Sequence, residues 1–375
     1  MAITFKAMVI SVDRCTLSTM KCQRIPKVLF AFFLSALCIT SAYPQASRPV
    51  LPKLITEPVR HDTDDPAIWV DRKNPANSLV LGTDKDIDGA LYVFGLDGKI
   101  RPELIIRGLL RPNNVDVAYG VTLGGRQVDV AIVTERFAHR LRVYTLPDMR
   151  PVDGGGIPVF EGERARDAMG VATYTRASDG ALFVIVSRSD RFAPRTGYLH
   201  QYRLVDDGTG SLVGIKVRAF GEWSGLKEIE ALSVDAVQGV VFASDETFGI
   251  RVYSADPAIE DANDELAQFG RTGFARDHEG SAVFRRSNER SLLFVSDQQA
   301  GELKVFDLDG RFGSQEQNKV IGRVRISALE TDGIEITTAS LPGFSGGLLV
   351  AMSADKTFHF YDLNEILRSI IPVKN

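Results

Sequence analysis

Apolar residues along this chain come in short runs and not in helical stripes. Residues 67–70 (AIWV), 79–82 (LVLG) and 91–94 (LYVF) are three of them, parted by the turn-rich NPAN at 74–77 and closed by the LDG turn at 96–98. Short runs of this kind, bounded by Gly, Asn, Asp and Pro, predict a β-meander. When the first two runs pair as an antiparallel hairpin, the start of one and the end of the other lie at the same end of the ladder. Asp64, Asp65, Asp84 and Lys85 then sit together.

The unit recurs. Runs resembling LYVF end in LRVYTL (141–146), LHQYRL (199–204), IRVYSA (250–255), LKVFDL (303–308) and FHFYDL (358–363), with aromatic anchors Phe94, Tyr144, Tyr202, Tyr253, Phe306 and Tyr361. Upstream of each lies an almost wholly apolar run (128–134, 181–187, 239–244, 291–296, 347–353), as expected of strands buried on both faces. Before that comes a run opening on acids or amides, at Asn113-Asn114-Val115-Asp116, Asp167, Glu228-Ile229-Glu230, Asp277-His278-Glu279 and Asp332-Gly333-Ile334-Glu335. Six copies at about fifty-residue spacing predict an all-β fold, a six-bladed β-propeller of four-stranded antiparallel sheets. Residues 217–221 and 320–326 are candidate outer strands, and residues 49–55 supply the missing outer strand of the last blade, closing the ring.

The first 46 residues read differently. Residues 28–42 (VLFAFFLSALCITSA) follow Lys21, Arg24 and Lys27 and precede small residues, the pattern of a secretory signal, with Met20 a more typical start than Met1. The run is short of the roughly 20 residues a bilayer span needs, and Leu37 before Cys38 argues against a lipoprotein. The expected mature chain, residues 47–375, is a single secreted or periplasmic propeller, monomeric, with no membrane association once the signal is removed. Cys15, Cys22 and Cys38 all fall in the removed part, so it carries no disulfide. Losing five basic residues and one acid leaves 39 − 47, a net charge of −8, which argues against nucleic acid and permits cations.

The hairpin geometry brings the second-run ends to one face: Asp84-Lys85, Glu135-Arg136, Arg188-Ser189, Asp245-Glu246, Asp297-Gln298 and Asp355-Lys356. With the acids that open the first runs, this density of like charge needs neutralising. Carboxylate and amide oxygens suit several Ca²⁺ ions, whereas five histidines and no thiol supply zinc or copper poorly. Lys85, Arg136 and Arg188 among the acids then describe a site for a multiply charged anion such as a phosphate ester. Asp71, Asp97, Asp309 and Asp362 read as turn acids, and His61 and His278 as polar neighbours. Neither a Gly-x-Ser-x-Gly elbow nor a Gly-rich phosphate loop occurs.

DDPAIW (64–69) with Asn74-Pro75, LDGK (96–99), NNVD (113–116), KVRAF (216–220), Glu279-Gly280 and TDGI (331–334) resemble the β-propeller phytases, from about residue 55 to the C-terminus. The resemblance implies a secreted calcium-dependent phosphomonoesterase of phytate, myo-inositol hexakisphosphate, in which a calcium-bound water attacks phosphorus. It implies Asp65, Glu230, Glu279 and Asp332 as calcium ligands, with Asp64, Asp245 and Glu246 behind them. Asp65, Lys85, Arg136 and Glu230 are the expected catalytic group, Lys85, Asn114, Arg136 and Arg188 the substrate grip, and Glu57 matches an acid ahead of the first blade. Three departures weaken the grip: Asp86 where a second lysine is expected, Met169 for a tyrosine, and Ser189 for an acid. Two other readings stand beside the phosphatase. One is a calcium-stabilised propeller that binds without turnover, and the other is another propeller hydrolase such as a lactonase.

Overall fold

The computed structural model describes residues 48–287, 289–309 and 320–373. The expected secretion signal, with Met20 and Cys38, lies outside the described residues. The described chain forms six antiparallel sheets. Sheet one holds β2 (Thr63–Trp69), β3 (Leu79–Asp84), β4 (Gly89–Gly95) and β5 (Ile106–Leu109). Sheet two holds β6 (Pro112–Leu123), β7 (Arg126–Glu135), β8 (Arg140–Leu146) and β9 (Ile157–Pro158). Sheet three holds β10 (Ala168–Thr175), β11 (Leu182–Arg188), β12 (Thr196–Asp206) and β13 (Leu212–Glu222). Sheet four holds β14 (Ile229–Asp235), β15 (Val240–Asp245), β16 (Gly249–Ser254) and β17 (Glu265–Phe269). Sheet five holds β18 (His278–Phe284), β19 (Leu292–Asp297), β20 (Glu302–Asp307) and β21 (Val320–Arg325). Sheet six holds β22 (Ile334–Thr337), β23 (Leu348–Ser353) and β24 (Thr357–Asp362).

The fourth strand of sheet six is β1 (Leu54–Ile55), which pairs Leu54 with Phe360 and Ile55 with His359. After β24 a short helix α1 (Leu363–Arg368), capped by Asp362, turns the chain so that β25 (Ile371–Pro372) adds a fifth strand to sheet five. That addition carried no sequence signal, because two residues are too few for a periodicity.

The core is a ring of wedges. Six buried apolar clusters each join neighbouring sheets, one with two, two with three, and so on round to six with one. This is why the second strands are apolar on both faces: β3, β15, β19 and β23 are buried at every residue. All six aromatic anchors are buried in these wedges, and three tyrosines also spend their hydroxyls: Tyr202 accepts from Phe160 N, Tyr253 from Glu222 N and Tyr361 from Ala328 N. Each buried aromatic body contributes on the order of 1.5–3 kcal/mol, and the phenol oxygen is satisfied at no further desolvation cost.

Candidate functional site

In five sheets the first strand carries a β-bulge at the same place. Thr63 pairs with Asp84 and Pro66 with Gly82, so Asp64 and Asp65 together face Thr83. The same offset sets Asn113-Asn114 against Thr134, Met169-Gly170 against Ser187, Glu230-Ala231 against Ser244 and Glu279-Gly280 against Ser296. Asp332-Gly333 stands at this position just ahead of β22. A bulge re-aims side chains that the regular alternation would send elsewhere, and here every one holds an acid, an amide or a methionine.

In sheets one, two and three the hydroxyl opposite the bulge accepts from a bulge amide. Thr83 Oγ1 accepts from Asp65 N at 2.9 Å and donates to Asn113 O, in the next sheet, at 2.6 Å. Thr134 Oγ1 does the same with Asn114 N and Met169 O. The ring is tight where sheets meet: a Cβ on Gly170 would lie 1.8 Å from Glu230 O, and one on Gly333 2.5 Å from Asp65 Oδ1. Only a hydrogen fits at either position.

The last residue of each second strand has a structural task. Asp84 accepts from His61 N and Asp62 N, Glu135 from Leu110 N, Asp245 from Ser224 N and Asp297 from Ala275 N, each pinning the loop that leads into its own sheet. Asp245 also takes Ser224 Oγ and Arg251 Nε, so both its oxygens are engaged away from the other acids. Arg188 performs this task with reversed polarity. It is fully buried, donates to Ala165 O, Gly197 O and Tyr198 O, contacts Glu163, and lies over the Phe160 ring. Two expected site residues, the ligand Asp245 and the substrate cation Arg188, are therefore taken up in holding the fold.

The following residue is the one that reaches the bulges. Lys85 N, Arg136 N, Ser189 N and Glu246 N each donate to the carbonyl two residues before the bulge, on Asp62, Arg111, Asp167 and Glu228. Their side chains are thereby turned inward. Lys85 Nζ contacts Asp64 and lies 3.2 Å from Asp332 Oδ2, and Gln298 Nε2 also reaches Asp332. Arg136 donates to Met169 Sδ at 3.4 Å and to Ser189 Oγ at 2.5 Å. Ser189, and not Arg188, thus holds the inward position of sheet three. In sheet six the pair Asp355-Lys356 belongs to the turn: Asp355 accepts from Thr357 and Lys356 donates to Arg60 O. Asp86 likewise accepts from Asp88 N within its own turn. Glu57 accepts from Ile100 N beside the turn that ends β4, apart from the bulges.

Beyond Lys85 the acids continue round the ring. Glu230, Glu246 and Glu279 each offer an oxygen within 4.8 Å of the others. Lys227, to which no sequence signal pointed, brings Nζ to 2.5 Å from Glu246 Oε2 and 3.2 Å from Asp277 Oδ2. Asp65 and Asn114 turn to the axis, where first strands of all six sheets line a channel of about 400 Å³ that also holds Asp116 and Glu335.

The electrostatics follow from burial. Asp64 is pushed up to about 7 by desolvation, despite the pull of Lys85. Desolvation also works against the Lys85 ammonium, but Asp64, Glu230 and Asp332 hold it charged far above its usual range. Burial raises Glu230 and Glu279 well above ordinary carboxylates, with Asp64 adding to the first and Glu246 to the second, and takes Glu246 up to about 7. In the channel, desolvation raises Asp65 well above its usual value and lifts Glu335 to about 8, with Asp116 repelling it. One sign of charge in excess, buried and fixed in place, is what a cation site looks like before its ion.

The turn acids behave as their spacing suggests. Asp71 accepts from Lys73 N and Asn74 N, Asp97 from Lys99 N, and Asp309 from Ser291 N. His278 is buried with Nε2 on Gly270 O.

Comparison with known proteins agrees with this architecture. A 3-phytase of Bacillus subtilis (strain 168) is 25% identical over 300 residues, covering 78% of this chain and 74% of that one. The family model described as Phytase matches residues 19–365, nearly the whole chain, and with the six-sheet ring and its acid-bearing bulges this shows that the chain belongs to the phytase family.

Proposed function

We propose that this protein is a phosphomonoesterase that hydrolyses phytate with the help of several Ca²⁺ ions, as a secreted or periplasmic monomer formed by residues 47–375. The observation that carries the reading is the gathering of the Glu230, Glu246 and Glu279 oxygens within 4.8 Å of one another, with Lys85 held charged by Asp64, Glu230 and Asp332 beside them. Membership of the phytase family supplies the reaction class.

The donors fit a hard divalent cation. Glu279 Oε2 and Asp277 Oδ1 are buried oxygens with no hydrogen-bond donor among the described residues, and Glu246 Oε2 meets the Lys227 ammonium. All-oxygen carboxylate sets of this kind suit calcium. Glu230, Glu246, Glu279 and Asp332 would hold it, with Asp64 and Asp65 alongside. A bound ion would neutralise the acids, act as a Lewis acid toward phosphate oxygens and lower the pKa of water.

The chain's own groups do the rest. Arg136, with Nη1 and Nη2 on weak or neutral acceptors and its nearest carboxylate, Asp167, as far as 3.9 Å from Nε, has a guanidinium that can turn to grip a phosphate in charge-assisted fashion. Lys85, held charged by three acids, stands beside the cluster as a second cation toward the scissile phosphate. Asn114, which lines the channel, adds a neutral donor through its amide nitrogen. The substrate grip is thus two cations and an amide, since Arg188 is engaged elsewhere.

Phosphate release from calcium phytate by the purified chain tests the proposal, with a chelator and the Asp65→Ala and Lys85→Ala variants as controls. Release that the chelator and both variants suppress is expected. No release at any calcium level, with calcium-dependent stability intact, would replace the enzyme by a binding propeller. Preference for a simple phosphomonoester would shift the substrate class.

A further inference from the structure

The cluster has a cation of its own. Lys227 Nζ lies 2.5 Å from Glu246 Oε2, 3.2 Å from Asp277 Oδ2 and 3.9 Å from Glu279 Oε1. Asp277 Oδ2 is also approached by Arg276 Nε at 3.2 Å and Gln299 Nε2 at 2.9 Å. Glu246, Asp277 and Glu279 are almost fully buried, while the Lys227 side chain remains 41% exposed. The ammonium therefore reaches into the acids from solvent, on a stem that can withdraw.

Its backbone stays where it is. Trp223 Nε1 donates to Lys227 O, and Glu246 N donates to Glu228 O at 3.0 Å. The fold does not require a cation at this place: Leu110 and Leu329 stand at the same distance before the bulges of sheets two and six. Lys85 differs, being a strand-end residue only 15% exposed between Asp64 and Asp332.

We infer that Lys227 is a tethered counter-cation that holds the Glu246 side of the cluster until a divalent ion displaces it, and so sets the ion concentration at which this site fills. The inference rests on the metal-dependent reading above. Calcium binds carboxylate oxygens at about 2.3–2.6 Å, the separation Nζ already has from Glu246 Oε2. An ammonium and a calcium ion held on that oxygen at such range repel one another strongly, so binding the ion favours expelling the ammonium. Expulsion is inexpensive because the stem is exposed and an ammonium is well hydrated. The device would keep the acids compensated when calcium is scarce, at the expense of affinity when it is plentiful.

Calcium titration calorimetry of the full chain tests this, with Lys227→Met and Lys227→Arg. Lys227→Met is expected to tighten calcium binding by about tenfold or more, and Lys227→Arg, which keeps the charge, to stay near wild type. A folded Lys227→Met chain whose calcium affinity is unchanged or weaker overturns the inference alone. If no chain takes up calcium, the metal-dependent reading falls and the inference with it. A second measurement needs no variant: labelling of Lys227 by an amine-reactive ester, read by peptide mass spectrometry, should rise several-fold when calcium is added. Labelling that falls or stays level overturns the inference even where the variants do not fold.

Discussion

The strongest test of the acid ring is Glu246→Gln in the metal-free chain. Glu246 is almost fully buried, and desolvation takes its carboxyl from an ordinary 4.5 to about 7, against the contact with Lys227. An acid whose pKa is higher in the folded than in the unfolded state contributes stability that is whole below the unfolded value. That stability is lost as pH rises through the folded one. Here the window is about pH 4.5 to 7. A rise of about 2.5 on the pH scale, at roughly 1.36 kcal/mol for each step, is about 3 kcal/mol. Glutamine keeps the shape and cannot ionise. In chelator, Glu246→Gln should therefore be more stable than the native chain at pH 8 by up to about 3 kcal/mol, and nearly equal at pH 4.5. Urea unfolding followed by the fluorescence of Trp69 and Trp223 measures both. In saturating calcium the sign should reverse, because the variant has lost a ligand. An equal stability difference at the two pH values in chelator would refute the claim that burial of Glu246 outweighs its pairing with Lys227.

Arg136→Ala should lower kcat/KM by about 10- to 100-fold, mostly through KM, from the loss of charge-assisted contacts of about 1.5–3 kcal/mol, with an unchanged unfolding midpoint. Arg188→Ala should do the opposite: it removes a fully buried guanidinium and strands Ala165 O, Gly197 O and Tyr198 O, costing about 1–3 kcal/mol for each stranded carbonyl, while the folded fraction keeps its KM. The two arginines changing the same parameter would contradict the division between them. Gly170→Ala places a methyl group 1.8 Å from Glu230 O, so the Glu230 bulge must shift. Calcium affinity should fall by about tenfold or more, and calorimetry showing native affinity would mean that Glu230 is no ligand.

Most of the fold could be read from periodicity, because a repeat that fills six wedges must alternate buried second strands with aromatic third strands, and it does so from Leu79 to Tyr361. The convergence of strand starts and ends needed only the hairpin rule. What could not be read was which residue of each adjacent pair faces inward. Side chains alternate with a period of two, and a bulge adds one residue and reverses the alternation beyond it. Asp245 and Glu246, or Arg188 and Ser189, are then equivalent to the eye, although one member holds a loop and the other faces the acids. Lys227 was missed for a different reason: its reach depends on where the loop after Trp223 is pinned, and nothing local marks that.

The hydroxyl before each such pair was the usable signal. Thr83, Thr134, Ser187, Ser244 and Ser296 sit opposite the bulges, so the next residue is the pin and the one after it the inward group. Counting from the hydroxyl assigns Lys85, Arg136, Ser189, Glu246 and Gln298 to the ring without a structure. Sheet six breaks the rule in an instructive way. Met352 replaces the hydroxyl, with Asp332 N directed at its sulfur, and Ser353 Oγ accepts from Leu329 N in place of a carboxylate. A hydroxyl can pin one amide but brings no charge, so Ala354 follows it and sheet six gives the ring its acid from the bulge alone, as Asp332. The pinning residue and the inward residue are thus chosen independently in each sheet. A ring built on one repeated frame can therefore gather cations on one side and carboxylates on the other.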